Sequence, residues 1–341
     1  AELTLAVVLF SDSANANLQV LRRFEAIPCR LLLIGLPLTI LLGFGVGALL
    51  FDDLTVFEIA LLATMLAPTD AALGKAVVTN KAVPESVRES LNVESGLNDG
   101  ICVPVLLLFL ALAAGETTRA ETLSLAIQLP LKAIGIGATV GIVLGVAGSK
   151  TLRTCNQRGW IEGSWLQFPV IALALVCFAL AQWLGGSGFI ASFVGGMIFG
   201  ALTRQNKQLC LEAAEGTGDA LAMLTWLAFG TFLFNQPIDN TDWKVIAYAI
   251  ASLTIVRILP VFLSVAGLGL RTDTKLFIGW FGPRGLASIV FAVMVGGAGL
   301  PGGDVVIATA SWTILLSVIF HGLSANPLAS AYGARVKDKP V

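Results

Sequence analysis

The chain has 341 residues, 56% of them hydrophobic and 13% charged, with a net charge of −1 and a mean hydropathy of +0.85. Water-soluble domains carry about a quarter charged residues, so lipid replaces water as the main solvent, and a balanced charge points away from nucleic acid. Five cysteines without a CxxC pair and a single histidine, His321, argue against a disulfide scaffold and against His-rich metal catalysis.

The apolar runs are too long for the short alternating strands of a β-barrel, and most reach the roughly 20 residues a membrane helix needs. Eleven spans are predicted, at about 2–20, 30–50, 54–79, 86–114, 122–149, 165–184, 187–202, 217–235, 243–268, 274–298 and 304–325. The class is therefore an all-α polytopic membrane protein. No basic segment and cleavage site precede the apolar Leu3–Phe10, so a signal peptide is not expected, and the natural chain is expected to begin earlier.

Arg22, Arg23 and Arg30 follow the first span; Lys75, Lys81 and Arg88 follow the third; Lys150, Arg153 and Arg158 follow the fifth. Arg204 and Lys207, Arg271 and Lys275, and finally Arg335, Lys337 and Lys339 continue the alternation, which places sixteen of the 21 basic residues on one side. The opposite loops hold Arg119 and Lys244 with the acids Asp52, Asp53, Glu116, Asp239 and Asp242. Basic loops face the cytoplasm, so residue 1 is expected outside and the C-terminus inside. No cysteine then falls on the outer side, and no structural disulfide is expected.

Lys132, Arg257 and Arg284, and the acids Asp12, Asp70, Glu94 and Asp99, fall within predicted spans. Charges at that depth face partners or wet cavities and mark functional candidates. For Lys132 and Asp12, an ion pair that only fixes packing is an equal reading. The third span is interrupted at Ala67-Pro68-Thr69-Asp70 and the tenth at Phe281-Gly282-Pro283-Arg284-Gly285. A proline in mid-helix removes one hydrogen bond and clashes with the preceding turn. Two such interruptions in corresponding halves point to a midplane transport site, though ordinary proline kinks read alike.

Between them lies Glu94-Ser95-Gly96-Leu97-Asn98-Asp99-Gly100. On a helix, Glu94, Ser95, Asn98 and Asp99 share an arc of roughly 140 degrees. That face offers two carboxylates, a hydroxyl and an amide, oxygen donors suited to a small cation. Gly96 and Gly100 allow another backbone to come close.

Glu-Ser-x-x-Asn-Asp, the earlier Pro-Thr-Asp break and the later Gly-x-Arg-Gly together resemble the NhaP-type branch of the monovalent cation:proton antiporters, relatives of the animal Na+/H+ exchangers. The resemblance runs in order over nearly the whole chain. It implies an inverted-repeat fold of thirteen helices with two unwound, crossing helices, of which this sequence supplies eleven and lacks the first two. By the same resemblance Asp99 is the cation- and proton-binding residue. Ser95 and Thr69 are further ligands of Na+, Thr69 through its backbone. Asn98 replaces a second aspartate found in electrogenic members and so implies electroneutral 1:1 exchange. Glu94 is expected to pair with Arg284, while Asp70 and Arg257 match further buried charges of the family. Proline often follows the aspartate of the first break in the family; here Ala71 stands there, and Pro68 precedes Thr69.

The resemblance also implies a division of labour. Residues 28–114 and 243–325 would form the mobile transport core, and 1–21 and 165–235 a dimerising scaffold. Residues 122–149 would connect them, and 326–341 would form a cytoplasmic tail. The expected protein is a homodimer in a bacterial inner membrane, exchanging Na+ (or Li+ or K+) for H+ in pH homeostasis, with no cofactor beyond the transported ions. A carboxylate in a low dielectric favours its protonated form, and a bound cation favours its ionised form, which lets one site hold either H+ or the metal ion. A Na+-coupled symporter of an organic anion and a cation channel are the alternatives. An intramembrane enzyme would need a nucleophile with a base, and no such pair is read.

Overall fold

The computed structural model describes residues 2–15, 26–70, 73–115, 122–203, 207–234 and 242–336. The expectations placed on Arg22, Arg23, Ala71, Glu116, Arg119, Arg204, Asp239, Lys337 and Lys339 lie outside the described residues. Helices make up nearly all of it, with no strand among the described residues. In chain order they are α1 (Glu2–Asn15), α2 (Ala26–Leu50), α3 (Val56–Met65), α4 (Lys75–Val78), α5 (Glu85–Ala113), α6 (Thr122–Gln157) and α7 (Phe168–Trp183). Then follow α8 (Gly188–Leu202), α9 (Lys207–Phe234), α10 (Trp243–Leu253), α11 (Ile255–Ser264), α12 (Thr272–Trp280), α13 (Leu286–Gly297) and α14 (Gly303–Val336).

Among the described residues, five helical stretches are long and apolar enough to cross a membrane, the α10–α11 pair counting as one, and four shorter apolar helices accompany them. Leu49 is 84% exposed and Leu323 75%. Such side chains are tolerated on a surface that meets lipid. Several spans run past their expected ends. α6 continues to Gln157, α9 starts at Lys207, and α14 reaches Val336 through most of the expected tail. Helical periodicity carries on into interfacial residues where hydropathy has already fallen. Two spans split where proline was expected to break them, α3 from α4 and α12 from α13. A further kink at Thr254 separates α10 from α11.

The chain forms two compact units, residues 1–16 with 116–231, and residues 17–115 with 232–341. In the first, α6 and α8 pack backbone to backbone. Gly137, Gly141 and Gly145, each four residues on, leave room for the carbonyl oxygens of Ser187, Ala191 and Gly195; an added Cβ would lie 2.6–2.8 Å from them. Small residues at that spacing let membrane helices approach closely. On α8, Gly196 and Gly200 admit the α1 backbone at Phe10 and Ala14 in the same way. Val7, Phe10, Val170, Ala174, Cys177 and Phe199 fill the core of this unit.

The second unit carries both breaks. Its core gathers Leu31, Val87, Val261, Phe277 and Tyr332, with the rings of Phe277 and Tyr332 stacked at 4.2 Å. Thr55 and Glu58 form a capping box at the start of α3. Within α2, residues Leu31–Gly35 take a π turn beside Ser264. α5 runs unbroken through 29 residues, Pro104 included, and its middle brings the acid-rich segment to the breaks.

Candidate functional site

α3 ends at Met65, and the chain is non-helical through Ala67, Pro68, Thr69 and Asp70. α12 ends at Trp280, and Phe281–Gly285 are likewise non-helical. The two breaks meet. The Asp70 N–H donates to the Pro283 carbonyl at 2.8 Å, and Ser288 at the start of α13 donates to the Met65 carbonyl at 2.9 Å. A broken helix leaves polar backbone groups that must find partners away from lipid, and here each break supplies partners to the other.

Arg284 is fully buried. Its guanidinium donates to the carbonyls of Ala67 (2.6 Å) and Pro68 (3.0 Å) beyond the end of α3, and more distantly to Ser252. Its backbone N–H donates to Ser317 Oγ at 2.7 Å. Asp70 caps the helix after the second break: its Oδ2 accepts the Leu286 N–H at 2.8 Å at the start of α13, and its Oδ1 accepts the Leu73 N–H. Carboxylates at helix N-termini are favoured by the exposed donors and the helix dipole. Gly285 is the residue beside this cap because an added Cβ would overlap the Asp70 carboxylate.

Glu94 pairs with Arg257, not with Arg284 as expected. Two parallel bonds join Arg257 to Glu94, Nη1 to Oε1 at 2.5 Å and Nη2 to Oε2 at 2.8 Å, and both side chains are 2% exposed. Arg257 follows the Thr254 kink near the start of α11, and Gly282 leaves the space that the Arg257 side chain fills. Arg284, two residues past Gly282, is taken up by the Ala67 and Pro68 carbonyls.

Thr69, Ser95 and Asn98 come together through side chains. Thr69 Oγ1 lies 2.8 Å from Ser95 Oγ and accepts from Asn98 Nδ2 at 2.7 Å. The expected role of Thr69 was through its backbone; its hydroxyl is the atom placed among the others. Asn98 Oδ1 is buried with no hydrogen-bond partner among the described residues, an acceptor left open in a dry site. Asp99 follows on the same turn, half-buried, with Oδ1 shielded from solvent. In sequence, Asp99 adjoins this group of neutral side-chain oxygens. No cluster of three or more His, Cys, Asp or Glu suited to a metal ion occurs among the described residues.

Other sequence candidates fall elsewhere. Lys132 is exposed on the long α6, and Asp12 is half-buried on α1. One buried acid escaped the sequence reading. Glu58, 1% exposed, accepts from Thr55 and from the Gly302 N–H at 2.6 Å, tying α3 to the start of α14. The Thr-x-x-Glu pattern of a capping box was its readable signal.

A family model for the transmembrane part of sodium/hydrogen exchangers matches residues 1–331. The chain belongs to the sodium/hydrogen exchanger family. It is 25% identical over 344 residues to the K(+)/H(+) antiporter NhaP2 of Shewanella baltica, covering all of this chain and 58% of that protein. It is 26% identical over 315 residues to a Na(+)/H(+) antiporter of Schizosaccharomyces pombe, covering 83% and 67%. The chain thus spans little more than half the length of the bacterial NhaP2 relatives. Its fold matches the sodium proton antiporter MjNhaP1 of Methanocaldococcus jannaschii with a TM-score of 0.79 at 20% identity, over 97% of this chain and 84% of that one.

Proposed function

We propose that this exchanger-family chain is the membrane part of an antiporter that swaps a monovalent cation for H+ at Asp99, by alternating access and with 1:1 stoichiometry. The observation that carries the reading is the Thr69–Ser95–Asn98 oxygen cluster, joined at 2.7 and 2.8 Å where the two breaks meet, with Asp99 next to it. Glu94 pairs with Arg257 and Asp70 accepts backbone donors; the exchangeable charge is assigned to Asp99, which adjoins the oxygen cluster in sequence. A cation held by Asp99, Ser95, Thr69 and the open Asn98 oxygen excludes the proton, and a proton on Asp99 removes the charge that holds the cation. Competition at one group couples the two flows. With one titrating carboxylate and a neutral amide at Asn98, a turn of the cycle moves no net charge.

The unit holding residues 17–115 and 232–341 would carry the moving site. The other would form the homodimer scaffold in a bacterial inner membrane, with residue 1 outside. A symporter of organic anions would need Arg257 or Arg284 to receive a substrate carboxylate. Both guanidiniums are engaged, by Glu94 and by the carbonyls of the first break, which disfavours that alternative. The test is cation-driven pH change in proteoliposomes across Na+, Li+ and K+. Exchange with at least one of these supports the reading, and single-ion current without counterflow would favour a channel and sink it.

A further inference from the structure

His321 has no place in the exchange chemistry above, yet it is 2% exposed and lies against the second break. In an unbroken helix the Arg284 N–H would bond the Trp280 carbonyl four residues back. Here the two are separated, and one turn of α14 serves both. Ser317 Oγ accepts the Arg284 N–H at 2.7 Å. His321 Nε2, at 2.8 Å from the Trp280 carbonyl, can only donate there, since a carbonyl has no proton to give. With that proton on Nε2, Nδ1 of the neutral ring is an acceptor, and the Ser317 hydroxyl stands 3.2 Å away to donate to it. The Ser317 carbonyl also lies 2.9 Å from Nδ1, so a second ring proton would meet an acceptor as well. Trp280 is held from the same helix by its indole N–H, which donates to Ser324 Oγ at 2.9 Å.

These bonds form a continuous path to the oxygen cluster. His321 orients the Ser317 hydroxyl, Ser317 fixes the Arg284 backbone, and the Arg284 side chain grips the Ala67 and Pro68 carbonyls. Thr69 is the next residue, and its hydroxyl bonds Ser95 and Asn98. We propose that His321, with Ser317, is a positioning residue of the transport site, replacing the hydrogen bond the second break removes and thereby setting where Thr69 stands. The inference rests on the exchange reading above.

Two features separate positioning from plain packing. The hydrogen bonds are directional, so a side chain that restores the Nε2 donor should restore function. The path ends at a cation ligand, so the loss should fall on apparent cation affinity more than on maximal rate.

The experiment reconstitutes the wild-type chain, His321→Ala, His321→Gln and Ser317→Ala in proteoliposomes and follows cation-driven pH change over a range of cation concentrations. His321→Ala is expected to raise the apparent KM about fivefold to tenfold, the size of one buried hydrogen bond, with maximal rate within about twofold. Glutamine carries an amide N–H near the Nε2 position and is expected to restore most of the loss. Ser317→Ala should raise KM similarly, and the double variant should be no worse than the poorer single one, as residues on one path are not additive. Should His321→Ala fail to fold, Ser317→Ala against Ser317→Thr decides by the same readout, because threonine keeps the hydroxyl. A KM unchanged in the alanine variants, or no recovery with glutamine or threonine, would overturn the proposal. A silent wild-type chain would instead remove the exchange reading, and this inference with it.

Discussion

Asp70 lies in the first break yet caps the helix that follows the second, accepting the Leu286 N–H on Oδ2 at 2.8 Å. The cap makes the two breaks one structural object, because neither can be displaced without exposing the other's backbone. Asparagine caps helices about as well as aspartate, whereas alanine loses roughly 1–2 kcal/mol. Asp70→Asn should therefore retain most of the thermal stability measured in detergent, and Asp70→Ala should lose it. An alanine variant as stable as wild type would show that the carboxylate does not hold α13.

The Glu94–Arg257 pair calls for a different comparison. Breaking a buried, doubly bonded ion pair from one side leaves a charge stranded, which destabilises by about 3–5 kcal/mol. Glu94→Gln and Arg257→Gln should each lower the melting temperature strongly, while the double variant should be less destabilised than the sum of the two. Glu94→Gln with Arg284→Gln should come closer to additive, since Arg284 bonds carbonyls. Coupling to Arg284 as large as to Arg257 would contradict the observed pairing.

Gly282 provides an independent route to the same pair. A Cβ there would sit 3.0 Å from Arg257 Cζ, 3.1 Å from Cδ and closer still to Nε. The methyl group of Gly282→Ala must push the guanidinium off Glu94, at about 1–3 kcal/mol for an overpacked site. Its effect should overlap with that of Glu94→Gln, because both weaken one contact. Full additivity in thermal unfolding would mean that alanine is accommodated without moving Arg257.

How much of this was readable from the residues follows from what each feature depends on. The breaks at Pro68 and Pro283 were legible because proline acts through its own covalent structure. That Ser95 and Asn98 share a face was legible because spacing along one helix fixes which side chains lie together. The partner of Glu94 was not. Arg257 and Arg284 both lie far along the chain, and the space at Gly282 that receives Arg257 is tertiary. Glu58 and the glycine ladder at 137, 141 and 145 are a separate matter: their local patterns stood in the sequence, but only the packing gives them partners in Gly302 and α8.

The last prediction concerns Asp99 itself. An amide at this position keeps the shape of the side chain and its capacity for hydrogen bonds, but it neither releases a proton nor balances a cation's charge. Asp99→Asn should therefore insert and fold like wild type while exchange falls to the level of empty vesicles. Binding provides a second readout that does not depend on transport. A cation that binds only the folded state stabilises it by RT ln(1 + [L]/Kd), about 2.7 kcal/mol at a hundredfold excess over Kd. Rising Na+ or K+ should thus raise the melting temperature of the wild-type chain, and Asp99→Asn should abolish that rise while Ser95→Ala and Thr69→Ala reduce it. If the asparagine variant kept both exchange and the cation-dependent rise, the ion would have to be held elsewhere. Loss of exchange with the thermal response intact would separate cation binding from proton coupling, and Asp99 would then remain as the proton site alone.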